Sequence, residues 1–153
     1  MRRLELRVPP PVVAAVCALI MWYAGKPLPA LDFDFLGRFT TIVVLIVLGF
    51  LVGGIAVSQF SRARTTVNPL KPQESSALVT RGLYRWTRNP MYLAMLIVLV
   101  GWAFFVSNAI AFLVLPLFIA YINRFQIRPE ERVLRQRFGA QFDDYCGRVR
   151  RWL

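Results

Sequence analysis

Residues 90–123 read PMYLAMLIVLVGWAFFVSNAIAFLVLPLFIAYIN, 34 positions without one charged side chain. A single helix over this run would be about 51 Å long at 1.5 Å per residue, whereas the hydrocarbon core of a bilayer is about 30 Å thick. Ser107-Asn108 lies near the middle and is the natural turn, so the run predicts two helices, 90–106 and 109–123, folded as a tight hairpin. Two more uncharged runs precede it. Residues 39–61 are 23 positions long, enough to span. Residues 8–25 hold 18 and open with Pro9-Pro10-Pro11. Prolines start a helix but do not sit inside one, so this helix is expected over 11–25. The expected architecture is an all-α polytopic membrane protein, a single membrane domain over 1–153. It has four transmembrane helices, a cytoplasmic connector at 62–89, and a cytoplasmic tail at 124–153 carrying an amphipathic helix.

Composition points the same way. Of 153 residues, 57% are hydrophobic and 18% charged, against about 45–50% and 25% in soluble domains. An aromatic content of 14% excludes disorder. There is no histidine, which removes His general bases, His-containing triads, His-ligated haem and nearly all zinc and copper sites. Cys17 and Cys146 make neither a disulfide framework nor a thiolate cage, so no metal is expected. The net charge of +11 comes from arginine, with Lys26 and Lys71 the only lysines. Seventeen of the 19 basic residues fall in the N-terminal stretch, the connector and the tail. The positive-inside rule therefore places both termini and the connector in the cytoplasm. Anionic headgroups and topology account for the charge, so nucleic acid is not an expected partner. Trp22-Tyr23 precede no small-residue cleavage site, and the first span reads as a retained anchor. Gly49-x-x-x-Gly53, followed by Gly54, reads as a helix-packing surface, within one chain or between two, which leaves the oligomeric state open.

No Asp, Glu, Lys or Arg lies inside a predicted span. Proton pumps and ion-coupled antiporters depend on such groups, so the polar chemistry falls to the cytoplasmic interface. Two segments supply it. In 78–92, LVTRGLYRWTRNPMY, Arg81, Arg85 and Arg88 would share a face if helical, and Asn89-Pro90 reads as N-cap and first turn of the third span. In the tail, Pro129, Glu130 and Glu131 read as first-turn residues whose carboxylates complement the helix dipole. After them Leu134, Phe138, Phe142, Tyr145, Val149 and Trp152 recur at helical spacing opposite arginines. That pattern predicts an amphipathic helix lying on the membrane, interrupted at Gly139. On composition alone the two segments are an interfacial Arg/Trp/Tyr belt and a helix cap.

Taken together and in order, Gly82-x-Tyr84-Arg85-x-x-Arg88-Asn89-Pro90-Met91-Tyr92, a charge-free hairpin, Pro129-Glu130-Glu131-x-x-Leu134, Phe138-Gly139-x-x-Phe142-x-x-Tyr145 and a close near Val149-Arg150-Arg151-Trp152 resemble the isoprenylcysteine carboxyl methyltransferase family and the related phospholipid N-methyltransferases. The resemblance covers 65–153, including Thr65-Thr66-Val67-Asn68-Pro69. It implies an integral protein of a bacterial cell membrane that binds S-adenosylmethionine, with S-adenosylhomocysteine as product, between two walls. Gly82, Tyr84, Arg88, Asn89, Pro90 and Tyr92 would line one. Glu130, Glu131, Leu134, Phe138, Gly139 and Tyr145 would line the other. The family commonly has His where Asn89 stands and Gly where Ala94 stands. Asn89 donates and accepts hydrogen bonds but cannot act as a base.

The resemblance further implies methyl transfer by alignment and exclusion of water. Arg88, Asn89 and Glu130 are the residues expected to carry it. Glu130 and Glu131 suit the cofactor's ribose hydroxyls or ammonium, and Arg88 its carboxylate. Tyr92 and Phe138 suit the adenine or the sulfonium. The acceptor would be a lipid or other hydrophobic molecule entering from the bilayer, with a carboxylate or thiol slightly favoured over an amine. Two other classes stay open: a relative of the membrane sterol-type reductases that bind NADPH, and a non-catalytic membrane scaffold.

Overall fold

The computed structural model describes residues 5–62 and 78–153. Every regular element among the described residues is helical. Thr65–Pro69 and the basic residues Arg2, Arg3, Arg64 and Lys71 lie outside the described residues.

Helix α1 spans Pro10–Gly25, one residue longer at its start than expected, with proline in its first turn, where a missing N–H costs nothing. Helix α2 spans Arg38–Arg62, and α3 spans Pro90–Val106. After the break at Ser107 and Asn108, a 3-10 turn (Ala109–Leu113) leads into α4 (Val114–Ile122), a π turn (Asn123–Ile127) and α5 (Arg128–Phe138). These run as one 30-residue helical stretch, Ala109–Phe138. Helix α6 (Ala140–Arg148) follows Gly139.

Two helical stretches, Arg38–Arg62 and Ala109–Phe138, are long and apolar enough to cross a membrane. Helices α1 and α3 are apolar but shorter, at 16 and 17 residues. Only Gly49 and Ala56 of α2 are buried, while Phe39, Phe50 and Leu51 are exposed. A helix apolar all round and this exposed is built for lipid.

Helix α3 is the centre. It packs against α1, α2 and α4. Its contact with α2 depends on missing side chains. A Cβ on Gly49 would lie 2.5 Å from the Val98 Cγ2 and 3.0 Å from the Ala94 carbonyl oxygen, and one on Gly53 would lie 3.5 Å from the Ala94 Cβ. The Gly49-x-x-x-Gly53 surface is therefore occupied within the chain, as small-residue surfaces in lipid-facing helices commonly are. On the other side of α3, Met21, Leu99, Phe118 and Ile122 form a buried cluster.

The two ends of the bundle differ chemically. At one, Ser107 takes a left-handed conformation (φ 57°) and Asn108 is buried. The Asn108 amide donates to the Leu28 carbonyl (2.9 Å) and to Asp32 Oδ1 (2.7 Å), and its Oδ1 accepts from Ile110 N–H (3.0 Å). One side chain so ties the end of α1 to the turn. At the other end, Leu6 N–H donates to the Phe125 carbonyl (3.0 Å) and Glu5 pairs with Arg124 (2.9 Å) and Arg132. Gln126 Nε2 donates to the Val8 carbonyl (2.7 Å). These contacts anchor the chain before α1 onto the π turn.

The tail departs from expectation. Its apolar positions do not face a bilayer: Leu134, Phe138, Phe142, Tyr145 and Val149 pack with Ala56, Phe60, Tyr84 and Met91 of the same chain. Trp152 joins the cluster around Phe118. Gly139 (φ 50°, ψ −127°) breaks the tail helix in two, at a conformation that favours glycine.

Candidate functional site

The site is built at the start of α3. A residue before proline is pushed out of the helical region, and Asn89 accordingly sits at φ −130°, ψ 54° ahead of the buried Pro90. The expected arginine face does not form. Only Gly82–Arg85 make a 3-10 turn, which leaves Arg81 and Arg85 exposed and turns Arg88 inward. Gly82 is required there: its φ is +62° and a Cβ would fall 2.1 Å from Gln59 Nε2, while Gln59 Oε1 accepts from Leu83 N–H (3.2 Å).

Asn89 does not cap α3 with its side chain. Its amide instead donates to the Arg151 carbonyl (2.8 Å), which also accepts from Thr87 Oγ1 (3.2 Å). Arg88 reaches further. Its Nη1 donates to the carbonyls of Val149 (2.7 Å) and Cys146 (3.1 Å), and its Nη2 to Glu131 Oε1 (2.9 Å). Arg151 completes Glu131, giving its Nε to Oε1 (3.0 Å) and its Nη2 to Oε2 (2.6 Å). Next to this cluster, Tyr92 Oη donates to Glu130 Oε1 at 2.5 Å.

The two carboxylates are not helix caps as the sequence suggested. The π turn carries α4 into α5 without a gap, so the turn holding them has no free N–H groups to complement. Beyond the uncharged stretch that ends at Asn123, their environments set them apart. Burial pushes the Glu130 carboxyl up to about 8, with the Tyr92 hydrogen bond opposing and the Glu131 charge reinforcing the shift. Burial also acts upward on Glu131, but hydrogen bonds from Arg151 and Arg88 outweigh it and hold that carboxyl below its usual range.

The remaining expected residues form an apolar floor. Tyr84 and Tyr145 are buried side by side, joined by a Tyr145 Oη bond to the Tyr84 carbonyl (2.7 Å), with Leu134 and Phe138 against them. Phe60 meets Tyr84 edge-on at 5.2 Å. Burial pushes both phenols up, so they stay neutral. Gly139 does not join the floor; it is exposed, and its Cβ would meet nothing. Thr87, Gln59 and Asn123 enter the polar end without having been singled out from the sequence, and Arg151 enters it from the end of the signature, where it had no assigned role. Asn123 accepts from Trp152 Nε1 at 3.1 Å. Only for Gln59, a polar residue near the end of an apolar helix, was there a local signal.

An apolar groove of about 440 Å³ runs between α1 and α2 over α3, open on its outer side. Ala14, Ala18, Gly49, Gly54 and Val98 line it, Trp102 stands at one end, and Met91 at the other, beside Tyr92.

A family model described as phospholipid methyltransferase matches residues 38–141, from α2 into α6. The chain belongs to the phospholipid methyltransferase family. The matched region includes the whole polar site except residues 142–152, and the site therefore lies mainly on the family's shared core. Among curated relatives, a "Probable protein-S-isoprenylcysteine O-methyltransferase" of Oryza sativa subsp. indica is 29% identical over 70% of this chain and 56% of its own. "Protein-S-isoprenylcysteine O-methyltransferase B" of Arabidopsis thaliana is 30% identical over 70% of this chain and 54% of its own. An uncharacterized protein of Haemophilus influenzae is 43% identical over 41% of this chain and all of its own. The chain spans about half the length of the plant relatives it matches. No solved structure matches. Among the described residues, no group of His, Cys, Asp and Glu could hold a metal ion.

Proposed function

We propose that this member of the phospholipid methyltransferase family is an S-adenosylmethionine-dependent membrane methyltransferase acting on a lipid or other hydrophobic acceptor at the cytoplasmic interface. The observation that carries the reading is adjacency. Met91 belongs both to the apolar groove and to the packing around Tyr84, and its neighbour Tyr92 holds Glu130. An apolar chain in the groove would thus present its polar end to the cluster of Arg88, Glu130, Glu131 and Arg151.

The residues present suit the cofactor. Glu130 is a half-buried carboxyl that accepts from Tyr92, kept protonated to about 8 by desolvation, and a bound cation would draw it into its ionised form. Arg88 Nε is buried without a partner, a donor in want of an anion. Glu130 would hold the cofactor's ammonium beside Tyr92, and Arg88 would face the carboxylate, with Leu134, Phe138 and Tyr145 bounding the apolar side. When bound, S-adenosylmethionine supplies a methyl group already activated on a sulfonium. The chain's own part is to align and to keep out water, through the Tyr84–Tyr145 floor and the closed polar cluster. Glu130 is also placed to take a proton from an amine acceptor near neutral pH, whereas a carboxylate would not need it. In this reading α1–α4 cross a bacterial cell membrane four times, the last two spans form a hairpin, and both termini are cytoplasmic.

The test is calorimetric titration of the detergent-solubilised protein with S-adenosylhomocysteine, with NADPH in parallel. Micromolar binding of the first alone, weakened in Glu130→Gln, is the expected result. No heat from S-adenosylhomocysteine in folded protein overturns the reading, and heat from NADPH alone transfers the chain to the reductases.

A further inference from the structure

We propose that residues 149–152 form a wall of the cofactor site, with Arg151 the positioning residue that fixes the end taking the cofactor's amino-acid carboxylate. This rests on the methyltransferase reading above. Arg151 binds two segments at once, α5 and residues 87–89. Its guanidinium takes both oxygens of Glu131 on α5, at 3.0 and 2.6 Å, a bidentate geometry that sets the carboxylate's plane. Its carbonyl accepts from Asn89 and from Thr87, of which Thr87 is 2% exposed. One residue earlier, the Arg150 carbonyl accepts from Arg88 N–H at 3.0 Å.

The charge count gives this wall a ligand chemistry. Glu131 spends Oε1 on Arg88 and Arg151 and Oε2 on Arg151, so it offers little to a cofactor ribose or ammonium. Two guanidiniums against one carboxylate leave the cluster at one net positive charge. Its side chains are partly shielded, at 13% exposure for Arg88 and 15% for Glu131, where an unbalanced charge is felt more strongly than at an open surface. The buried, unpartnered Nε of Arg88 lies in the same cluster. A single carboxylate balances the charge. Arg151 acts through Glu131 and the 87–89 segment: without it, Glu131 would neutralise Arg88 alone and the net positive charge would vanish.

The test compares two ligands by calorimetry: S-adenosylhomocysteine, which carries the carboxylate, and 5′-methylthioadenosine, which lacks the whole amino-acid end. Arg151→Ala should weaken the first about tenfold, the low end for losing a charged hydrogen bond, and leave the second within about twofold. Arg151→Lys, which restores the charge without the fork, should recover most of the lost affinity. Parallel loss of both ligands would reduce Arg151 to a scaffold role and overturn the proposal, as would unchanged S-adenosylhomocysteine affinity. If Arg151→Ala does not fold, Arg151→Gln, which keeps the bulk and removes the charge, takes the same comparison. Wild-type protein that binds neither ligand overturns the methyltransferase reading itself, and a wild type that binds with an indifferent Arg151→Ala overturns this proposal alone.

Discussion

Glu130 and Glu131 are chain neighbours held in opposite protonation states by what surrounds them. For Glu130, burial raises the folded-state value to about 8 from an ordinary 4.5. The folded protein therefore holds a proton there that the unfolded chain has released, and this contribution to stability is present below about 4.5 and lost as pH rises through 8. Glu130→Gln keeps the acceptor for Tyr92 and has no charge to bury. Its thermal midpoint at pH 8 should exceed the wild type's by several degrees and match it at pH 4, each kcal/mol being worth about 2–4 °C at this size. A denaturation series over that pH range checks it. Arg88 carries the other residue-scale prediction. Arg88→Ala removes three side-chain hydrogen bonds and leaves Glu131 with Arg151 alone, and should cost about 3 kcal/mol in a chemical denaturation measurement. Both acids and Arg88 stand out in the sequence. What they do was less legible, because the cap reading of Glu130-Glu131 assumed a helix start that the π turn removes.

At the scale of elements, the α2–α3 crossing is the contact most sensitive to a single atom. Gly49→Ala places a methyl group 2.5 Å from Val98 Cγ2 and must push the helices apart, for a loss of about 1–3 kcal/mol. Gly54→Ala, five residues on, meets nothing within 4 Å and should be neutral or stabilising by up to about 1 kcal/mol. Thermal unfolding of the pair separates close packing from helix propensity. The break at Ser107-Asn108 was readable because a charge-free run too long for one helix must turn at its polar pair, and α3 ends there. The π turn at Asn123–Ile127 was not readable, since one extra residue per turn has no compositional mark. The arginine face of 81–88 failed for a local reason: Gly82 at positive φ and Pro90 together limit helix to one 3-10 turn.

For the whole molecule, residues 5–8, 82–89, 123–132 and 149–152 share one end, and Gly25, Asp32 and Asn108 share the other. The sidedness of the basic residues anticipates this division, because crossing helices must return their charged flanks to water. In a variant lacking Cys17 and Cys146, single cysteines at the exposed positions 36 and 150 should be modified from opposite faces of sealed vesicles by an impermeant maleimide. Labelling of both from one face contradicts the four-span arrangement. The wall at 149–152 was partly legible, because Val149-Arg150-Arg151-Trp152 closes the family-like signature, but no local pattern separates Arg151 from Arg150.

The groove over α3 is open on its outer side among the described residues, so whatever amphiphile surrounds the protein competes for it. In a micelle that competitor is the detergent, present in large excess over any added acceptor. The apparent dissociation constant for an acceptor then rises in proportion to detergent concentration once the groove is saturated, by simple mass action. Shortening the detergent's alkyl chain, or exchanging micelles for nanodiscs of a poorly fitting lipid, would restore affinity without altering a residue. An inactive preparation in one surfactant is thus a statement about solvent occupancy before it is one about the proposed activity.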